Sequence, residues 1–173
     1  MQNYDACVVV HPEWPFHSQK DVESIGESSI DELSNHQSSV CDRLYDYANH
    51  IQDYYVKLRE LDSNSKLPIY AIPYFNRLFN EFFRDFNWHV LESVSYFNPN
   101  TGLDEICEDI GKNQDELELL VCGCSYRKCL ASYSHRIARD YDGPKRIDGK
   151  ESSFIANPKV EYVYLSPEYS LDI

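Results

Sequence analysis

The chain has 173 residues, 42% of them hydrophobic and 14% aromatic, which suits one globular domain with a real core. A formal net charge of −13 argues against a nucleic-acid partner, because binding a phosphate backbone rests on Lys and Arg. No stretch approaches the ~18 consecutive apolar residues of a membrane span, and MQNYDACVVV lacks the basic and long apolar regions of a secretory leader.

Strand 1 is expected over residues 6–11, where ACVVVH is a short β-rich run closed by Pro12. The polar, turn-rich HSQKDVESIGESS follows as a surface connection. Ser29 and Glu32 have the spacing of a capping box. Beyond them Val40, Leu44, Tyr47, Ile51, Tyr54 and Leu58 recur at three and four residues, one face of a long amphipathic helix. DSNSK breaks that helix.

LPIYAIPY then predicts strand 2, ended by Pro73, and FNRLFNEFFRDF a short helix with an aromatic face. WHVLESVSY predicts strand 3, NPNTG a turn, and LDEICEDIG a short helix ended by Gly111. LELLVCG predicts strand 4, residues 125–140 the next helix, and KVEYVYLSP a late strand. Strands alternating with helices predict an α/β three-layer sandwich around a mostly parallel sheet of about five to six strands, in a single domain over 1–173.

In such sheets the site lies outside the carboxyl ends of the strands. Those ends carry His11-Pro12-Glu13, Pro73-Tyr74, Glu92 to Tyr96, and Gly123 to Cys129. Cys129 falls early in its helix, where first-turn N–H groups and the macrodipole favour an anion and would lower a thiol pKa. Arg127 and Lys128 would act in the same sense. Backbone N–H groups of the 123–129 turn could hold a developing oxyanion. The competing reading is a small buried residue packing helix on sheet, the commoner use of a free cysteine.

His11 could face the same site with Glu13 beside it, giving a cysteine, an imidazole base and a carboxylate. Glu92 is unusual in a buried parallel strand, where an apolar residue is expected. A zinc site on Cys122, Cys124 and Cys129 with His135 is disfavoured. Its C-x-C-x4-C spacing matches no common zinc knuckle, and strand alternation separates neighbouring side chains. The six glycines form no phosphate loop. No cofactor and no metal is expected. The six cysteines read as reduced thiols of a cytoplasmic protein, or of an effector secreted without a leader. The fourteen tyrosines suggest polar-tipped core and, beyond it, a homo-oligomer or partner interface.

The order of these pieces resembles the isochorismatase-like cysteine hydrolases, the family that includes nicotinamidases and other amidases. VVVHPEWPF has the layout of that family's opening motif, with Phe16 matching and His11 at its Asp position. HVLESVSYFNPNTGLDEIC supplies Phe97, Thr101 and Leu103, with Glu92 or Ser93 at its Lys position. LLVCGCSYRKCLAS reproduces the spacing from glycine to nucleophilic cysteine, Gly123 to Cys129. The resemblance covers residues 6–16 and about 66–165.

It implies a hydrolase for a small amide, ester or related substrate, with Cys129 as nucleophile, His11 as base and Glu92 or Glu13 orienting it. It places Glu13, Phe16, Tyr74 and Phe97 against the substrate, with Gly123, Ser125 and Tyr126 on the turn. IYAIPYFNRLF lacks the histidines of the nicotinamidase metal cluster, so nicotinamidase activity is not expected. The altered Asp and Lys positions frame an alternative from another class: a degenerate member that kept the fold and serves as a binding or protein-interaction module.

Overall fold

The computed structural model describes residues 3–16, 37–91, 94, 101–139, 141–144, 146 and 160–171, with 37–49 as backbone alone. In chain order the elements are β1 (Ala6–Val10), α1 (Gln37–Asn64), β2 (Ile69–Ile72), α2 (Asn76–Phe83), β3 (His89–Val90) and α3 (Leu103–Ile110). They continue with β4 (Glu118–Cys124), a π turn (Tyr126–Leu130), α4 (Ala131–Ile137) and β5 (Tyr162–Leu171). The five strands form one sheet in the order β3-β2-β1-β4-β5. Every pairing is parallel.

β1 and its neighbours are buried on both faces, which is why their sequences are continuous Val, Ile and Leu runs. Alternation still sorts the side chains. Ala6, Val8 and Val10 pack with Leu103 and Ile106 of α3 and with Tyr133 and Ile137 of α4. Cys7 and Val9 pack on the other face with Ile51, Tyr54 and Leu58 of α1 and Leu78, Phe79 and Phe83 of α2. Helices thus cover both faces, giving the three-layer α/β sandwich expected from the sequence.

The aromatic stretch of α2 fills the second core. Phe83 stacks on Phe79 at 5.4 Å and on Trp88 at 5.4 Å. The Arg59 guanidinium of α1 lies 4.3 Å over the Phe86 ring. Several tyrosines are polar-tipped core: the buried Tyr133 donates to the Thr101 carbonyl at 2.8 Å, and Tyr70 to Asp109 at 3.2 Å.

Local differences from the sequence expectation have physical causes. β1 ends at Val10, because His11 turns away at φ +49 while its N–H still donates to Ile72 at 2.8 Å. β3 is a two-residue edge strand rather than the nine residues WHVLESVSY suggested; Leu91 makes one further bond to Ala71 at 2.9 Å. Glu92, Ser93 and Phe97 lie outside the described residues, as do Ser29 and Glu32. The segment from 125 starts as a π turn, becomes α-helical only at Ala131, and ends where Ala138 bridges Val160. β5 runs on to Leu171 and accommodates Pro167, because its ladder with β4 shifts register between Val121 and Gly123. Gly111 ends α3 as expected, at φ +75 with its N–H donated to Cys107 at 2.8 Å.

Candidate active site at the β1–β4 switch point

The order β3-β2-β1-β4-β5 reverses direction between β1 and β4. In open parallel sheets the crevice outside the carboxyl ends at such a reversal is where ligands bind. The residues that leave the sheet there are His11 to Phe16 after β1 and Ser125 to Leu130 after β4. Val10 pairs with Gly123 at this point.

Two residues at these ends hold uncommon backbone conformations. His11 at φ +49 and Ser125 at φ +56 are the non-glycine residues with positive φ among those described. Such strain persists only where surrounding structure enforces it, and it clusters at functional sites. The Ser125 turn is held from two sides: its N–H donates to the Leu171 carbonyl at 2.7 Å, and its own carbonyl accepts from Lys128 at 3.1 Å and Leu130 at 3.3 Å. Two of the turn's N–H groups are therefore already engaged, and the oxyanion role expected for the whole 123–129 turn is narrowed.

Glu13 is fully buried. Its Oε1 accepts the backbone N–H of Tyr74 and that of Phe75 at 2.6 Å, tying the end of β1 to the start of α2. Oε2 has no hydrogen-bond partner among the described residues. Burial pushes the Glu13 carboxyl pKa up, and the backbone N–H groups of Phe75, Glu13 and Tyr74 partly offset this.

Cys129 is half-buried, and burial pushes its thiol pKa up, against the downward shift expected from the helix start. Arg146, Lys128 and the Cys129 backbone N–H pull it down, while Glu13 pushes it further up. The macrodipole argument fails because the first turn is a short π segment and desolvation outweighs the nearby cations. Arg146, which no motif signalled, does more here than Arg127.

His11 is buried at the end of β1. It is 8% exposed, its Nδ1 is buried without a hydrogen-bond partner, and burial lowers its pKa to about 4. It makes no hydrogen bond to Cys129 or Glu13; its ring meets Tyr74 edge-on at 5.1 Å. The imidazole is a weaker base than expected because burial disfavours its cation.

The other expected contacts divide. Phe16 is core, stacked on Phe82 at 4.2 Å. Tyr126 packs against the α3–α4 core. Gly123 is explained by packing, since a Cβ there would lie 2.4 Å from the Val10 carbonyl oxygen. Tyr74 remains at the site, 40% exposed and in ring contact with His11 and with Trp14 at 4.8 Å. Sequence reasoning passed over Tyr54, a member of the α1 stripe. Its buried hydroxyl has no hydrogen-bond partner and feels Cys124, Cys122, Glu13 and Cys129. Cys124 likewise feels Cys129 and Glu13 and belongs to this cluster.

Among the described residues, no group of three or more His, Cys, Asp or Glu could hold a metal ion. No described helix is long and apolar enough to cross a membrane. Comparison with known proteins gives no match to any family model, curated protein or solved structure.

Proposed function

We propose that the chain is a cysteine hydrolase for a small amide or ester, with Cys129 as nucleophile and Glu13, rather than His11, as the proton acceptor. The supporting observation is that a fully buried glutamate with Oε2 unpartnered among the described residues and the half-buried Cys129 both leave the sheet where its strand order reverses. A carboxylate whose pKa is raised is a better base than an ordinary one. The thiol rests protonated, so its proton passes to Glu13 as sulfur attacks the carbonyl carbon. Glu13 returns that proton to the leaving nitrogen or oxygen as its bond to carbon breaks. Water then hydrolyses the thioester and restores the thiol.

The upward shift of the thiol favours a second reading, in which the same fold binds a small molecule or a protein partner without turnover. The exposed Tyr162 and Tyr164 of β5 suit a partner or a second copy.

One experiment separates the two. The purified chain, its Cys129→Ala variant and its Glu13→Gln variant are offered activated esters and anilides, and adducts are located by peptide mass spectrometry. The hydrolase reading expects an acyl adduct on Cys129, turnover abolished by Cys129→Ala, and a loss on the order of 10²-fold or more for Glu13→Gln. Equal rates for the chain and Cys129→Ala, with no adduct on Cys129, would leave the binding module.

A further inference from the structure

Glu13 is a buried carboxylate with half its hydrogen-bonding capacity unused. Oε1 is committed to the Tyr74 and Phe75 N–H groups, and Oε2 has no partner. No ion pair among the described residues includes it. Among the described residues, the titratable groups whose charge bears on it supply no counter-charge at neutral pH. His11 is held neutral, and Tyr54, Cys124 and Cys129 are all pushed toward their protonated, uncharged forms. Lys128 and Arg146 act on the thiols, and neither is among the causes of the Glu13 shift. An uncompensated buried carboxylate is expensive and persists where something completes it.

Two more polar atoms stand unpartnered at the same strand ends, and the histidine nitrogen accepts when the ring carries its proton on Nε2. His11 Nδ1 and Ser125 Oγ are buried without hydrogen-bond partners, on the two residues whose backbones are strained. Buried polar groups are normally satisfied, so three orphans at one edge of the sheet point to a ligand. The aromatic rings of Trp14 and Tyr74 border the cluster, and Tyr74 is its exposed side.

We propose that this cluster seats the protonated primary amine of a ligand, its ammonium donating to Glu13 Oε2 and to the orphan acceptors His11 Nδ1 and Ser125 Oγ, beside the rings of Trp14 and Tyr74. An ammonium brings a positive charge and three N–H donors, matching one carboxylate and three unused acceptors in kind and number. Aromatic rings favour the same cation. A carboxylate ligand would bring only acceptors and a like charge. With Oε1 committed to two backbone N–H groups, an ammonium on Oε2 and proton uptake from Cys129 exclude one another. The amine is therefore a ligand that occupies the base and not the hydrolysed substrate; its site goes beyond the hydrolase reading and does not rest on it.

The test is a charge series on one alkyl frame: n-butylammonium, butyramide and butyrate at equal ionic strength, read as shifts in thermal midpoint. The ammonium is expected to raise the midpoint by at least about 2 °C at saturation and the other two to leave it unmoved. The shift should grow as pH rises and Glu13 gives up its proton, and it should vanish in Glu13→Gln. Equal shifts from butyramide or butyrate, or an ammonium shift that survives Glu13→Gln, overturn the proposal. If Glu13→Gln does not fold, the charge series and its pH dependence on the unaltered chain decide alone. Cys129→Ala should keep the ammonium shift, so failure of the hydrolase reading and failure of the amine site are distinguishable.

Discussion

A Cβ on Gly123 would lie 2.4 Å from the carbonyl oxygen of Val10 and 2.8 Å from its nitrogen. The glycine is what lets β4 approach β1 at the switch point, and its φ of +121 is closed to other residues at low cost. Gly123→Ala should therefore destabilise the chain by about 3 kcal/mol or more, through overpacking against backbone that cannot yield. Gly111→Ala is the control. Its φ is also positive, yet a Cβ there meets nothing within 4 Å, so about 1 kcal/mol is expected. Urea unfolding measures both, and equal losses would contradict the steric account.

Acid stability tests His11. Its folded pKa of about 4 lies below its ordinary value of 6.5, so the unfolded chain takes up the proton first. Stability from this residue is complete above pH 6.5, falls as pH drops toward 4, and is flat below. The shift corresponds to about 3 kcal/mol across that window. His11→Asn removes the titration while tolerating the positive φ. Glu13 titrates with the opposite sense, because its raised folded pKa favours the protonated native state as pH falls. The difference between the chain and His11→Asn isolates the imidazole. Parallel stability curves for the two from pH 7 to pH 4 would rule the buried neutral histidine out.

Thiol labelling tests the electrostatics of Cys129. The raised pKa predicts slow alkylation at pH 7 and a steep increase toward alkaline pH. Glu13→Gln removes a charge that pushes the thiol up and should speed labelling at fixed pH. Arg146→Gln and Lys128→Gln remove charges that pull it down and should slow it. Cys7, Cys122 and Cys124 are buried and should label far later. Peptide-level mass spectrometry resolves the sites, and a slower Cys129 in Glu13→Gln would reverse the assigned sign.

The sheet was legible because burial on both faces leaves a direct trace, runs such as Val8–Val10 and Leu119–Val121 that no surface strand would carry. β3 was not, because Leu91 and Val94 are buried beyond the point where its pairing stops, so the apolar pattern outlasts the strand. The strand ends that carry the candidate cluster were legible, and Cys129 and Tyr74 stand at them. The cluster's chemistry was not. A glutamate between two prolines looks like surface, and only the tertiary fold reveals that Glu13 is buried on two backbone N–H groups. The same burial inverts the sequence argument for His11 and Cys129, since proximity in sequence says nothing about desolvation. Gly123, half of the spacing that carried the family resemblance, has a sufficient explanation in backbone packing alone.

Ser125 offers a test of whether strain and unsatisfied groups at this edge are retained for function. Its hydroxyl is buried without a hydrogen-bond partner, and its backbone sits at φ +56. Ser125→Ala removes the orphan hydroxyl and keeps the strain, so it should stabilise the chain by about 1 kcal/mol. Ser125→Gly removes both, and the relief of strain is offset by the greater freedom glycine gives the unfolded chain. It should therefore match or slightly exceed the alanine variant. If the hydroxyl is an acceptor for a bound amine, both variants should gain stability while losing the n-butylammonium shift. This is the trade expected where a site is built at the expense of the fold. A loss of stability in Ser125→Ala would mean that the hydroxyl is satisfied within the native chain and has no ligand to wait for.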